Sequence, residues 1–228
     1  MPLVGTIEWN ALTGVAHMAA DAEALIGLPA SETLSARTLP DLMSHVDRWD
    51  DRHGFLALFD PVRDSRRWSG NIALSGTETR GRRHLHIAAT TDPINTGPAI
   101  RGLLVDISFI EPAPPADVGS LALHAVPTSL GHSIGMIDLQ TGLIYDWITV
   151  ATTFADHLRR SNPEIHPDDL SAIGQCRLEL LRGTSTATAT FRMRFSNRDD
   201  WTTVDGCWLA LRNSEDRPQA LLDIVLSG

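Results

Sequence analysis

Residues 164–170 read Glu-Ile-His-Pro-Asp-Asp-Leu, a histidine and two carboxylates within four positions. These are residue types for a metal site or an acid–base pair. Neighbouring positions on a helix diverge by about 100°, however, so Asp168 and Asp169 do not converge easily on one reacting atom. The same residues also start a helix. Pro167 suits a first helical turn, and Asp168 and Asp169 place negative charge where the helix dipole favours it, which is sufficient reason for His166 to Asp169 to be there. His84 and His86 alternate on a strand-like run, so both imidazoles fall on one face and could point to one ion. No nearby Cys or acidic residue completes a tetrahedral set, and no metal site is expected. Cys176 and Cys207 form no CxxC pair and are too few for a disulfide framework, so they read as small buried residues. The chain has no GxSxG, no glycine-rich phosphate loop and no HExxH, and no catalytic residue is expected.

Composition narrows the partners. The 228 residues are 43% hydrophobic, enough for one large domain or two smaller ones, and two fit the pattern better. All 19 basic residues are arginine, against 28 acidic ones, a formal balance of −9. That balance argues against nonspecific nucleic-acid binding, which needs a basic footprint, and against anionic membrane surfaces. The opening residues have no signal-peptide pattern and no apolar run reaches spanning length, so a cytoplasmic location is expected.

The elements that must position these residues repeat. "FIEPAPPADVGS", 109 to 120, has three prolines within four residues and divides the chain. On either side "IEWNALTG" (7 to 14) and "GMIDLQTG" (135 to 142) alternate apolar and polar residues and end at Thr-Gly, a strand entering a tight turn. A second strand follows each. Helices come next: "TLPDLMSHVD" with Thr38 as cap, continued helically through "DRWDDRHGFLALFD", in the first half; "TFADHLRR" and "HPDDLSAIGQCRLELLRG", ending at Gly183, in the second. Three strand-like segments close each half. The expected domains are 1–110 and 118–228, joined by a proline-rich linker at 111–117.

This order resembles the PAS domain, a sensor and interaction module. The words that carry the resemblance are the Thr-Gly hairpins, His166-Pro167-Asp168-Asp169, the arginine-rich "FRMRFSNRDDW" and the ending "AIRGLLVDIS" at 99 to 108. The resemblance implies an α+β fold of two tandem PAS-like domains, each a five-stranded antiparallel sheet with short helices on one face. It also implies a sensory or signal-transduction role through a small ligand, a protein partner or a homodimer. In the first half the "HPDD" position reads His45-Val46-Asp47-Arg48, so its helix start would rest on Asp47 alone. Asp106 and Ser108 stand where PAS domains hand over to a signalling element; Leu226 takes that aspartate's place in the second half, and no output domain is expected on the chain.

Ligand expectations follow from the resemblance. Thirty-one residues separate Gly14 from His45 and 24 separate Gly142 from His166, so the first domain should hold the larger cavity, lined in part by Leu25, Met43, Phe55 and Leu58. Heme would have an axial histidine only in the first domain, at His53; no photoreceptor-type reactive-cysteine word occurs, and loosely held flavin is unsupported. The cofactor stays unknown, with a heme or flavin redox sensor and a small-molecule enzyme or accessory subunit as the alternatives. Trp9, Trp49, Trp68, Trp147, Trp201 and Trp208 should fill the two cores, unless Trp9 or Trp68 lines a cavity or dimer face. "DVGSLALHAV", 117 to 126, should cap the second sheet. The first domain starts almost directly with its strand, leaving its sheet to be covered by the second domain or a second copy.

Overall fold

Both Thr-Gly turns fold by the same local chemistry. Asn10 closes the first: its Oδ1 accepts the N–H groups of Leu12 and Thr13 at 2.9 and 3.1 Å, and Gly14 takes φ +67°. Asp138 closes the second, its Oδ2 accepting the N–H and hydroxyl of Thr141, with Gly142 at φ +80°. Glycine adopts this left-handed region without a Cβ penalty, which is why each hairpin turns there.

The computed structural model describes residues 3–28, 36–61, 65–76, 81–92, 99–119, 121, 125, 131–158, 162–195, 200–211 and 217–227. The chain divides into two units, residues 1–123 and 124–228. The first holds strands β1 (Val4–Asn10), β2 (Ala16–Met18), β3 (Val46–Trp49), β4 (Arg67–Leu74), β5 (Arg83–Asp92) and β6 (Ala99–Asp106), in the order β2-β1-β6-β5-β4-β3. The second holds β7 (His132–Asp138), β8 (Ile144–Thr149), β9 (Glu164–Ile165), β10 (Thr186–Arg194), β11 (Thr202–Leu211) and β12 (Gln219–Leu226), in the order β8-β7-β12-β11-β10-β9. The named pairings are all antiparallel. The fold is α+β, two PAS-like domains in tandem, each with one short strand more than the five expected.

The extra strand corrects the helical expectation after Met43. Helix α1 (Ala20–Ile26) packs on β1, and α2 (Leu39–Met43) starts as its sequence implies, with Thr38 Oγ1 accepting the N–H of Asp41. The chain then extends as β3 and pairs with β4, where a helix would have left that part of the β4 edge unpaired. Val46 and Trp49 are also poor helix and good strand formers. Helix α3 (Arg52–Leu56) and a 3-10 turn (Ala57–Phe59) follow. The cap of α3 is Asp51, whose Oδ1 accepts the N–H of Gly54 at 2.8 Å; Asp47, expected in that role, instead holds Arg82 through two bonds of 2.6 and 3.0 Å. In the second unit α4 (Ala155–Leu158) precedes the 3-10 turn Pro167–Asp169 and α5 (Leu170–Leu181), which packs on β10.

Each sheet buries one face under its helices. In the first unit an aromatic cluster forms the centre: Phe55 lies 5.5 Å from Trp9, 4.8 Å from Trp49 and 5.3 Å from Trp68 between ring centroids. In the second, Trp147, Phe154, Phe191, Met193, Trp208 and Ile224 are buried together. Trp201 and Trp49 are half-buried, the other four tryptophans buried. Cys176 is buried, and burial pushes its thiol pKa up; Cys207 is half-buried. Under the β7–β8 hairpin Asp138, fully buried, receives Arg217 Nε and Nη2 at 2.6 and 2.8 Å. Among the described residues no helix is long and apolar enough to cross a membrane.

The linker expected over 111–117 is tied to the first unit. After β6 the residues 107–111 make one turn, with Glu111 N–H bonding to Ile107 O at 2.9 Å, and the carbonyl of Glu111 accepts from His84 Nδ1 at 3.2 Å. Asp117 N–H bonds to Asp47 O at 3.0 Å on the edge strand β3. Half of residues 117–126, expected to cap the second sheet, lie outside the described residues.

Candidate functional site

Two spaces in the first unit are set by opposite faces of the same sheet. Inward, between sheet and helices, Leu25, Met43, Phe55 and Leu58 are all buried core residues. The void there is about 30 Å³, bounded by Met43, Phe55 and their neighbours but not by Leu25 or Leu58. That is room for about one water. Among the described residues the space on that side is taken up by the clustered rings of Trp9, Trp49, Phe55 and Trp68. His53, half-buried on α3, does not border this void. A heme does not fit the space the described residues leave on that side.

Outward, the strands carry a groove of about 870 Å³. Registered pairing lines up its floor in rows. His17, Glu8, Arg101, Thr90 and Arg67 form one row across β2, β1, β6, β5 and β4; Thr6, Leu103, Ala88 and Ser69 form the next. Arg101 Nε pairs with Glu8 at 3.0 Å, both half-exposed. Among the described residues Arg67 has no ion-pair partner. Leu103 is 48% exposed although apolar. Sequence patterning alone did not single these residues out, since their common row depends on strand register; the alternation of each strand was their only visible signal.

His84 and His86 lie on this outward face, as their spacing implied, but they do not converge on an ion. His86 is held by Ser69 Oγ (2.9 Å) and Asn71 Oδ1 (2.7 Å). His84 is buried because the turn after β6 covers it and its Nδ1–H donates to Glu111 O. No cluster of three metal-ligating side chains occurs among the described residues. Asp106 and Ser108 shape that turn: Asp106 Oδ1 accepts the N–H of Ser108 at 2.9 Å, and Ser108 Oγ accepts the N–H of His84 at 2.9 Å.

In the second unit the "HPDD" residues form a latch. His166 caps the helical turn, its Nδ1 accepting the N–H of Asp168 at 3.3 Å. Asp169 Oδ2 accepts both the backbone N–H and the Nε of Arg192, at 2.8 and 2.9 Å, and its Oδ1 accepts Nη2 at 2.9 Å. The Arg192 guanidinium holds the Asp169 carboxyl down to about 2, with help from the backbone bond. Asp168 is exposed, 3.5 Å from the same guanidinium. Alongside, Arg194 pairs with Glu164 through bonds of 2.9 and 3.0 Å, lowering the Glu164 pKa, and lies 4.2 Å from the centre of the Trp201 ring. His166 meets Trp201 edge-on at 4.7 Å. All of these groups are engaged with one another, in an arrangement that fastens α5 to β10. On the outward face of the second sheet a smaller groove, about 390 Å³, is lined by Thr188, Asp205, Cys207 and Asp223 among others.

No family model and no curated protein matches the chain. Among solved structures, an uncharacterized protein from Mycobacterium tuberculosis superposes with a TM-score of 0.72 at 17% identity, over 100% of this chain and 67% of that one. That similarity is one of fold. A sensory box histidine kinase/response regulator from Burkholderia thailandensis E264 aligns with 47% of this chain and 79% of its own at 18% identity, TM-score 0.35. An RNA-binding light-oxygen-voltage receptor aligns with 98% of this chain and 95% of its own at 12% identity, TM-score 0.38.

Proposed function

We propose that this chain is a cytoplasmic sensory or signal-transduction module of two PAS-like domains that acts by binding and not by catalysis. Its occupant, a small molecule or a partner protein, sits on the outward face of the first sheet. One observation carries the proposal: that face offers a groove of about 870 Å³, while the void that the described residues bound on the helix-covered side is about 30 Å³. The larger volume falls in the range of small-molecule sites, and the smaller does not. Signal output would then pass from β6 through Asp106 and Ser108 into the turn that covers His84.

Native mass spectrometry of freshly purified wild type and Ala88→Trp tests this. Ala88 is exposed in the middle of the groove floor, so an indole there fills the groove without touching the core. The expected result is a small molecule or second chain carried by the wild type and lost from a folded Ala88→Trp variant. An occupant retained by the variant, or a wild type bare and monomeric at micromolar concentration, would overturn the proposal.

A further inference from the structure

The groove's charge and shape point to a chemical class for its occupant, an inference that rests on the functional proposal above. We infer that it takes a small amphiphile with one carboxylate head and an unbranched apolar tail. The head is placed by three residues on adjacent strands. Arg101 on β6, Thr90 on β5 and Arg67 on β4 are directly registered, and neighbouring strands lie about 4.8 Å apart. The two arginine Cα atoms are therefore about 10 Å apart with Thr90 between them. A carboxylate over Thr90 lies within the span of both guanidinium groups. Arginine is the side chain whose planar fork matches a carboxylate with two parallel bonds. Arg67 is exposed and has no ion-pair partner among the described residues, and Arg101 is shared with Glu8.

The tail is placed by the next row. Moving two residues along β5 from Thr90 reaches Ala88, whose methyl leaves a trough, with Leu103 beside it on β6 and Ser69 on β4. The half-exposed Leu103 is the apolar wall that a hydrocarbon chain would cover, and Met18 lines the same groove. A further row, at Val105 and His86, lies about 14 Å from the arginines. The local charge sum also favours an anion: Arg67 and Arg101 against Glu8 leave one net positive charge on a chain that is −9 overall.

Decanoate is the probe, with decanol sharing its tail and lacking its charge, and phosphatidylglycerol vesicles presenting an anionic head in a membrane. Titration calorimetry should find that decanoate binds the wild type at least fivefold more tightly than decanol does, and that vesicles do not compete. Arg67→Ala should weaken decanoate at least fivefold, Glu8→Gln should tighten it by removing the competing carboxylate, and Ala88→Trp should abolish it. The three variants alter exposed side chains, so unchanged melting temperatures verify that they fold. Equal binding of decanoate and decanol, indifference to Arg67→Ala, or no decanoate binding would each overturn the carboxylate assignment. Vesicle competition would assign the face to a lipid surface and overturn it likewise. If decanoate fails while an occupant found by native mass spectrometry is still lost from Ala88→Trp, the groove stands and only the ligand class falls.

Discussion

Replacing Arg217 by methionine should destabilise the second unit by about 4 kcal/mol. Asp138 is 0% exposed and Arg217 6%, and their two bonds measure 2.6 and 2.8 Å. Methionine keeps much of the apolar stem but removes the charge, leaving the carboxylate with only the N–H and hydroxyl of Thr141. Breaking a buried pair from one side costs about 3–5 kcal/mol, because an uncompensated charge remains where water cannot reach it. With an unfolding entropy of about 2 cal/mol/K per residue over roughly 100 residues, the melting temperature should fall by about 15–20 °C. Calorimetry reads the loss, and hydrogen exchange locates it at β7, which Asp138 ends, and at β12, which starts two residues after Arg217. Arg101→Met is the control. Its partner Glu8 and Arg101 itself are about half exposed, so that loss should stay below about 1 kcal/mol. A loss in Arg217→Met no larger than in the control, or unchanged exchange at β7 and β12, would refute the reasoning.

Three other outcomes are expected. Asp169 has a folded pKa near 2 against an ordinary 3.8, so its contribution is complete above 3.8 and is lost as pH falls through 2; NMR of its carboxyl carbon should find that midpoint, and a midpoint near 3.8 would contradict the Arg192 latch. Gly54→Ala would drive a Cβ into Asp51 Oδ2, the oxygen that accepts from Trp68 Nε1; the cap must shift, at about 1–2 kcal/mol, read as a lower melting temperature and altered near-ultraviolet dichroism. Asp106→Ala should cost only about 1 kcal/mol for its one turn bond yet change small-angle scattering of the whole chain; a lowered melting temperature with unchanged scattering would leave Asp106 a local turn residue.

What was legible in the sequence is what local chemistry decides. The Thr-Gly hairpins depend on residues within five positions of one another, and Asn10 and Asp138 act there through their own neighbours. Pro167 and Asp169 announced a helix start for the same reason. The latch to Arg192 was not visible, because it crosses 23 positions. β3 was not legible, because a helical pattern over 38–47 does not reveal that an unpaired edge of β4 lies beside it. The role of Asp51 is hidden because its second partner, Trp68, is 17 residues away. The groove was hidden most completely. Glu8, Arg101, Thr90 and Arg67 are scattered over more than ninety positions and become one row only through the strand register.

The turn that covers His84 also fixes where the first unit can be cut from the chain. The proline-rich stretch invites cleavage directly after Ile110, at the apparent end of the domain. A fragment ending there would lose the Glu111 carbonyl that receives the buried imidazole and would bare the edge of β3 where Asp117 now bonds. It should therefore be prone to pairing with other edges and to aggregation, whereas a fragment carried through Asp117 keeps both contacts.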